Sequence, residues 1–283
     1  MFGSLRLRQI IDKAFFGLIC FFSFLSVLPL ILILGYLVVM GISSLNWHFF
    51  FRVPAPLGEM GGGIAHALVG SLLLLSVAFI LAVPFGILAG IYLSETRFRK
   101  NRLADWARLA VEILQGIPSI VTGMVIYSWL VLPFKSFSVL AGGAALGLMM
   151  LPVIVRSVEE TISLIPSVIK QASLALGVPY YRTILRVVIP SGLSGIVTGV
   201  LLSLARVVGE TAPLLFTAFG SFFMSFHLGK PIGSLPHLIY FYATSPYEEW
   251  HRLAWGASFV LVMGVLFLNI SAKLITSKWR VQF

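Results

Sequence analysis

Two ionisable residues stand four apart inside a long apolar run: Arg206 and Glu210, within Leu204-Ala205-Arg206-Val207-Val208-Gly209-Glu210-Thr211-Ala212-Pro213. Charge in a membrane-length run is costly, and it marks either a pathway or a buried ion pair. A guanidinium is planar and cannot deprotonate, and its donors match the oxygens of an oxyanion such as phosphate. On a helix, a spacing of four puts both groups on one face. The pair then reads in one of two ways. It is a structural ion pair that fixes helix packing, or Arg206 attracts an anion on a pathway. In the second reading Glu210 orients Arg206 or tempers its field, so that the anion is passed on. Gly209 and Pro213 are suited to opening the helix at that depth. Arg156, at the end of Leu151-Pro152-Val153-Ile154-Val155-Arg156, reads as a charge anchor. Thr122, Thr211 and Thr217 are pore-lining candidates, although membrane threonines commonly bond their own helix or a neighbour. The histidines (His48, His66, His227, His237, His251) show no ligand spacing, so no metal site is expected.

A second pattern is mechanical. The stretch Lys170-Gln171-Ala172-Ser173-Leu174-Ala175-Leu176-Gly177 is polar and amphipathic, and it lies between apolar runs. Ile165-Pro166-Ser167 starts a short helix, and Gly177 is a natural stop. Pro179 opens a second short helix, through Tyr180 to Val188, and Pro190 marks the entrance to the next apolar run. Two short helices around a glycine turn, held at a membrane surface, are suited to docking.

The elements that position these residues follow from composition. Of 283 residues, 59% are hydrophobic and 11% charged; mean hydropathy is +1.01. That shortage of charge excludes a soluble domain. The apolar runs predict six spans, at about 14–42, 64–93, 109–132, 139–155, 191–220 and 254–275. The first run is too long for a signal peptide. Residues 1–13 form an N-terminal segment, 156–190 a loop within the 14–276 membrane domain, and 277–283 a tail. Basic residues alternate by side: fifteen lie in the termini (with Lys273 at the end of the sixth span), the loop after the second span and the 156–190 segment, against four in the other loops. The positive-inside rule places both termini and the 156–190 segment in the cytoplasm. The single cysteine, Cys20, allows no internal disulfide. There is no Walker A sequence and no dinucleotide fingerprint, so the chain is not expected to bind nucleotide. The aromatic stretch between spans five and six reads as an interfacial belt or as the docking face for a binding protein.

Spacing then connects the two patterns to a family. Gln171-Ala172-Ser173, Gly177 and Val187-Val188-Ile189-Pro190 resemble the EAA loop of ABC importer permeases. Gln171 stands where that pattern has Glu. Leu204 through Ala218, Gly61-Gly62-Gly63-Ile64-Ala65, Gly116-Ile117-Pro118-Ser119-Ile120-Val121 and Ser245-Pro246-Tyr247-Glu248-Glu249-Trp250 are similar to the PstA family within the MetI-like permeases. The match runs from about Gly61 to Asn269. The resemblance implies an all-α, six-span, non-catalytic permease of a bacterial inner-membrane phosphate importer. Its implied partners are a PstC-like second permease, a homodimeric PstB-like ATPase that binds ATP and Mg, and a PstS-like periplasmic phosphate-binding protein. It also implies that Gln171, Ala172, Ser173, Gly177 and Pro190 couple to the ATPase, and that Arg206, Glu210 and Arg156 serve the pathway. Three other readings stay open: a permease for another oxyanion (molybdate, sulfate or phosphonate), an ion-coupled secondary transporter, and a membrane signalling scaffold that senses phosphate without moving it.

Overall fold

The computed structural model describes residues 5–55, 61–97 and 100–278. Pro56, Arg99, Arg280 and the outer ends of the predicted N-terminal segment and tail lie outside the described residues. Among these residues the architecture is all-helical, with one isolated bridge, Phe219 to Ile232. In chain order the helices are α1 (Leu5–Ser43), α2 (Trp47–Phe51), α3 (Ala65–Glu95), α4 (Arg102–Gly116), α5 (Ser119–Ile126), α6 (Leu132–Phe134), α7 (Val139–Ser163), α8 (Ser167–Ala175), α9 (Tyr180–Thr183), α10 (Ile189–Val207), α11 (Ala212–Thr217), α12 (Leu235–Ala243) and α13 (Glu248–Lys278).

Five helical runs are long and apolar enough to cross a bilayer, and a bent pair makes a sixth if it counts as one span. The bent pair is the predicted third span, 109–132. It breaks between Gly116 and Ser119, and its halves meet at 110°. Pro118 explains the break: its ring cannot continue a helix, and it holds Ile117 in an extended conformation (φ −74°, ψ 129°). The predicted fourth span ends too early at 155. Helix α7 continues to Ser163, which places Arg156 inside the helix rather than at its end. The predicted fifth span, 191–220, is helical only to Val207 and again from Ala212 to Thr217.

Two π-helical turns adjoin prolines. Tyr127–Val131 precedes Pro133, and Ile184–Val188 precedes Pro190. Widening the turn relieves the clash of a proline ring with the carbonyl four residues back. The helix therefore runs on from Tyr180 to Val207, and Pro190 lies within it instead of marking an entrance.

Small residues set the packing, as expected where lipid gives no hydrophobic drive between helices. Helices α3 and α7 run parallel, with Gly86 against Ile154 and Gly90 against Val158. A Cβ on Gly90 would come within 2.6 Å of Val158 Cβ. Helix α10 lies antiparallel to α7, with Gly195 on Thr161 and Gly199 on Ser157. The main core fills this three-helix seam and includes Ala82, Met150, Ile154, Val158, Ile196 and Val200. Helix α1 lies outside it and packs against α13.

Candidate translocation and coupling site

The glycine contacts fix the depth of Arg206. Gly199 lies opposite Ser157 on an antiparallel helix, so seven residues further along α10 Arg206 is level with Met150. Gly86 beside Ile154 puts Met150 level with Ala82, near the middle of α3. Arg206 thus stands at mid-height in the bundle. It is exposed, on the face of α10 that also carries Thr198 and Leu202, while Ile196, Gly199, Val200, Ser203 and Val207 face the core.

Helix α10 ends one residue later, which corrects the one-face expectation for Arg206 and Glu210. Val208 to Thr211 is non-helical, and Glu210 N–H donates to the Val207 carbonyl at 3.2 Å. Glu210 is half-buried in this break, and neither residue forms a salt bridge among the described residues. Gly209 lies within the opened backbone and Pro213 just beyond it, at the start of α11. The Gly116–Ser119 break falls at the same depth. Arg108 pairs with Glu159, and Gln115 Nε2 reaches the Pro152 carbonyl at 3.4 Å, so α4 rises beside α7 to the level of Leu151 before bending. The half-helices beyond the two breaks then pack together at Gly123 and Pro213.

The threonines divide. Thr217 is fully buried and donates to the Pro213 carbonyl of its own helix at 2.8 Å. Thr122 is buried on α5. Neither lines an open surface of this chain. Thr211 is half-buried in the break, beside Glu210.

Arg156 belongs to a charge network. Its Nε donates to Glu160 Oε1 at 2.8 Å, and its Nη1 lies 3.6 Å from Glu159 Oε2. Glu159 is buried and also accepts from Arg108 Nε at 2.9 Å. Arg108 donates in addition to the Leu93 carbonyl at 2.7 Å, so one guanidinium joins α4, α7 and the last turns of α3. Arg156 itself remains half exposed, about two turns to the α8 side of Arg206's level.

The candidate coupling segment is a compact hairpin of α8 and α9. Gly177 makes its turn at φ +80°, a conformation that suits glycine. Ser173 Oγ and Thr183 Oγ1 lie 2.9 Å apart and buried, locking the two helices together. Ser173 therefore faces into the hairpin. Gln171, Ala172 and Gly177 are exposed, and Leu176 is 84% exposed at the tip. Pro190 is exposed on α10. Lys170 Nζ and the Tyr180 hydroxyl both donate to Glu95, the last residue of α3. Burial alone would lower the Lys170 pKa, but its bonds to Glu95 and Tyr180 hold it above the ordinary lysine value.

A family model described as "Binding-protein-dependent transport system inner membrane component" matches residues 82–281. The phosphate transport system permease protein PstA of Yersinia pestis is 41% identical over 249 residues, 88% of this chain and 84% of its own length. This chain belongs to the PstA family. The Pasteurella multocida PstA is 38% identical over 268 residues, 94% of this chain and 95% of that one. A solved MetNI methionine ABC transporter in an inward-facing conformation aligns over 76% of this chain and 97% of its own, with a TM-score of 0.62 at 22% identity. At that identity the likeness establishes the fold.

In this PstA-family chain, sequence reasoning missed Arg108, Glu159, Glu160 and Glu95. Glu159 and Glu160 follow Arg156 by three and four residues, a readable helical signal had α7 been carried past Val155. Arg108 and Glu95 meet partners 51 and 75 residues away, and no local pattern encodes such pairs.

Proposed function

We propose that this chain is the transmembrane permease subunit of an ATP-driven importer of inorganic phosphate. It forms part of the pathway and passes motion to it from a separate ATPase. The observation that carries this reading is Arg206: a permanent cation at mid-height, on a face its own bundle leaves open, beside a helix break. Facing lipid there would cost about 2.5–3.5 kcal/mol by insertion scales. A face shared with a second permease and with water removes that cost. The names and identities of the PstA relatives support phosphate as the cargo.

In this reading a PstS-like protein delivers phosphate from the periplasm, and a PstC-like permease supplies the other wall. Arg206 holds the anion through charge-assisted hydrogen bonds, with Glu210 and Thr211 in the adjoining break. Arg156 receives it nearer the cytoplasm, where Glu159 and Glu160 already balance its charge, so the anion leaves readily. Both termini are cytoplasmic. The hairpin around Gly177 seats in a homodimeric PstB-like ATPase, which binds ATP and Mg and does all the hydrolysis. Closure of that dimer moves the hairpin, and the rigid Tyr180–Val207 helix carries the motion to Arg206.

Uptake of phosphate into proteoliposomes holding the full complex tests this. Wild type is expected to need ATP and every subunit. Arg206→Gln should assemble normally and lose uptake by about a hundredfold or more, as removal of a charged partner of a bound anion costs about 3 kcal/mol. Normal uptake by Arg206→Gln would refute the pathway role.

A further inference from the structure

The hairpin of α8 and α9 joins the bundle covalently at two places. It leaves α7 at Ser163 and continues into α10 through the π-helical turn. Neither join is covalent to α3, although Ser94 near its end lies beside Ser163, and α3 ends beneath the hairpin. Its last residue, Glu95, is mostly buried and accepts from Lys170 of α8 and from Tyr180 of α9 at the same carboxylate oxygen. Lys170 Nζ also reaches the Tyr180 hydroxyl at 3.2 Å and lies 4.8 Å from the centre of its ring. One carboxylate therefore grips both halves of the hairpin.

Its position is unusual for a helix end. A carboxylate at a C-terminus sits at the negative end of the helix dipole, and is unfavourable there unless a cation answers it. Lys170 supplies that cation, and it comes from the one element that must move with the ATPase. The α3 terminus is otherwise firmly set. Thr96 Oγ1 caps the Tyr92 carbonyl at 2.8 Å, Arg108 caps that of Leu93, and Ser94 Oγ lies 3.4 Å from Ser163 Oγ. The glycine seam at Gly86 and Gly90 then holds α3 tightly on α7.

We infer that Glu95 is a coupling residue. It clasps the hairpin to α3, so that α3, α7 and α10 follow the ATPase as one body. Without the clasp the hairpin would reach α3 only indirectly, through α7 and the glycine seam, and ATP would be spent with less movement of α3. This rests on the permease reading above. Glu95 touches no substrate and acts through Lys170 and Tyr180.

The test measures phosphate transported per ATP hydrolysed by the reconstituted complex, for Glu95→Gln, Lys170→Glu, Glu95→Lys and the charge-swapped pair Glu95→Lys with Lys170→Glu. Glu95→Gln should keep ATPase activity and lower phosphate moved per ATP by about tenfold, within the range expected for loss of one coupling contact. The swapped pair should recover most of the wild-type ratio that its single variants lose. An unchanged ratio in Glu95→Gln overturns the inference. Should that variant fail to copurify with the ATPase, the swap decides alone: recovery supports the clasp, and no recovery overturns it. If the permease reading itself were wrong, the wild-type complex would show no ATP-driven phosphate uptake, which is a distinct result.

Discussion

At the residue scale, Arg206 was legible because a guanidinium in an apolar run stands out against every neighbour. Its relation to Glu210 was not. The one-face argument assumed a continuous helix, and the backbone opens between the two residues, although Gly209 and Pro213 were there to signal it. Ser173 carries a similar lesson. Its place in the family pattern made it an ATPase-contact candidate, but the structure turns it inward onto Thr183. A cysteine at Leu176 is therefore expected to cross-link to the ATPase subunit, whereas one at Ser173 should react only when the hairpin opens. Equal cross-linking from both positions would contradict the packing. Glu159 is the residue on which most charge depends, since its buried carboxylate answers both Arg108 and Arg156. Glu159→Gln should cost about 3 kcal/mol, the scale of breaking a buried pair from one side, and is read as a lowered Tm of the detergent-solubilised complex.

At the element scale, hydropathy located the membrane runs but averaged over their interruptions. A window of apolar residues looks the same whether the backbone runs straight, bends at Pro118 or widens before Pro190. The last case has a consequence for coupling. A π-helical turn advances less per residue than an α-helical one, so it sets the rotation of α10 relative to the hairpin. Pro190→Ala removes the reason for the wide turn. If Ile184–Val188 relaxes to α-helix, Arg206 swings by about one residue's rotation, roughly 100°. The complex should assemble with ATPase activity retained and phosphate uptake reduced; full uptake would show that the turn's phase is unimportant. The glycine seam is testable in the same way. Gly90→Val pushes a branched side chain into Val158, and should destabilise the subunit by about 1–3 kcal/mol in thermal unfolding.

At the scale of the whole molecule, the seam of α3, α7 and α10 puts core on one side and leaves Thr198, Leu202 and Arg206 open on the other. Composition announced a membrane protein, yet which face would stay uncovered depends on long-range packing that no single stretch records. An exposed arginine at mid-height has a bearing on biogenesis. Newly inserted and alone, the subunit would present that guanidinium to hydrocarbon, at a cost of about 2.5–3.5 kcal/mol. Its lifetime in the cell should then depend on how soon another subunit covers the face. Pulse–chase labelling is expected to show rapid degradation of the wild-type chain made without its partner permease, and slower loss of Arg206→Leu. The same charge that we propose serves transport would thus act as an assembly checkpoint, sparing the membrane half-built transporters.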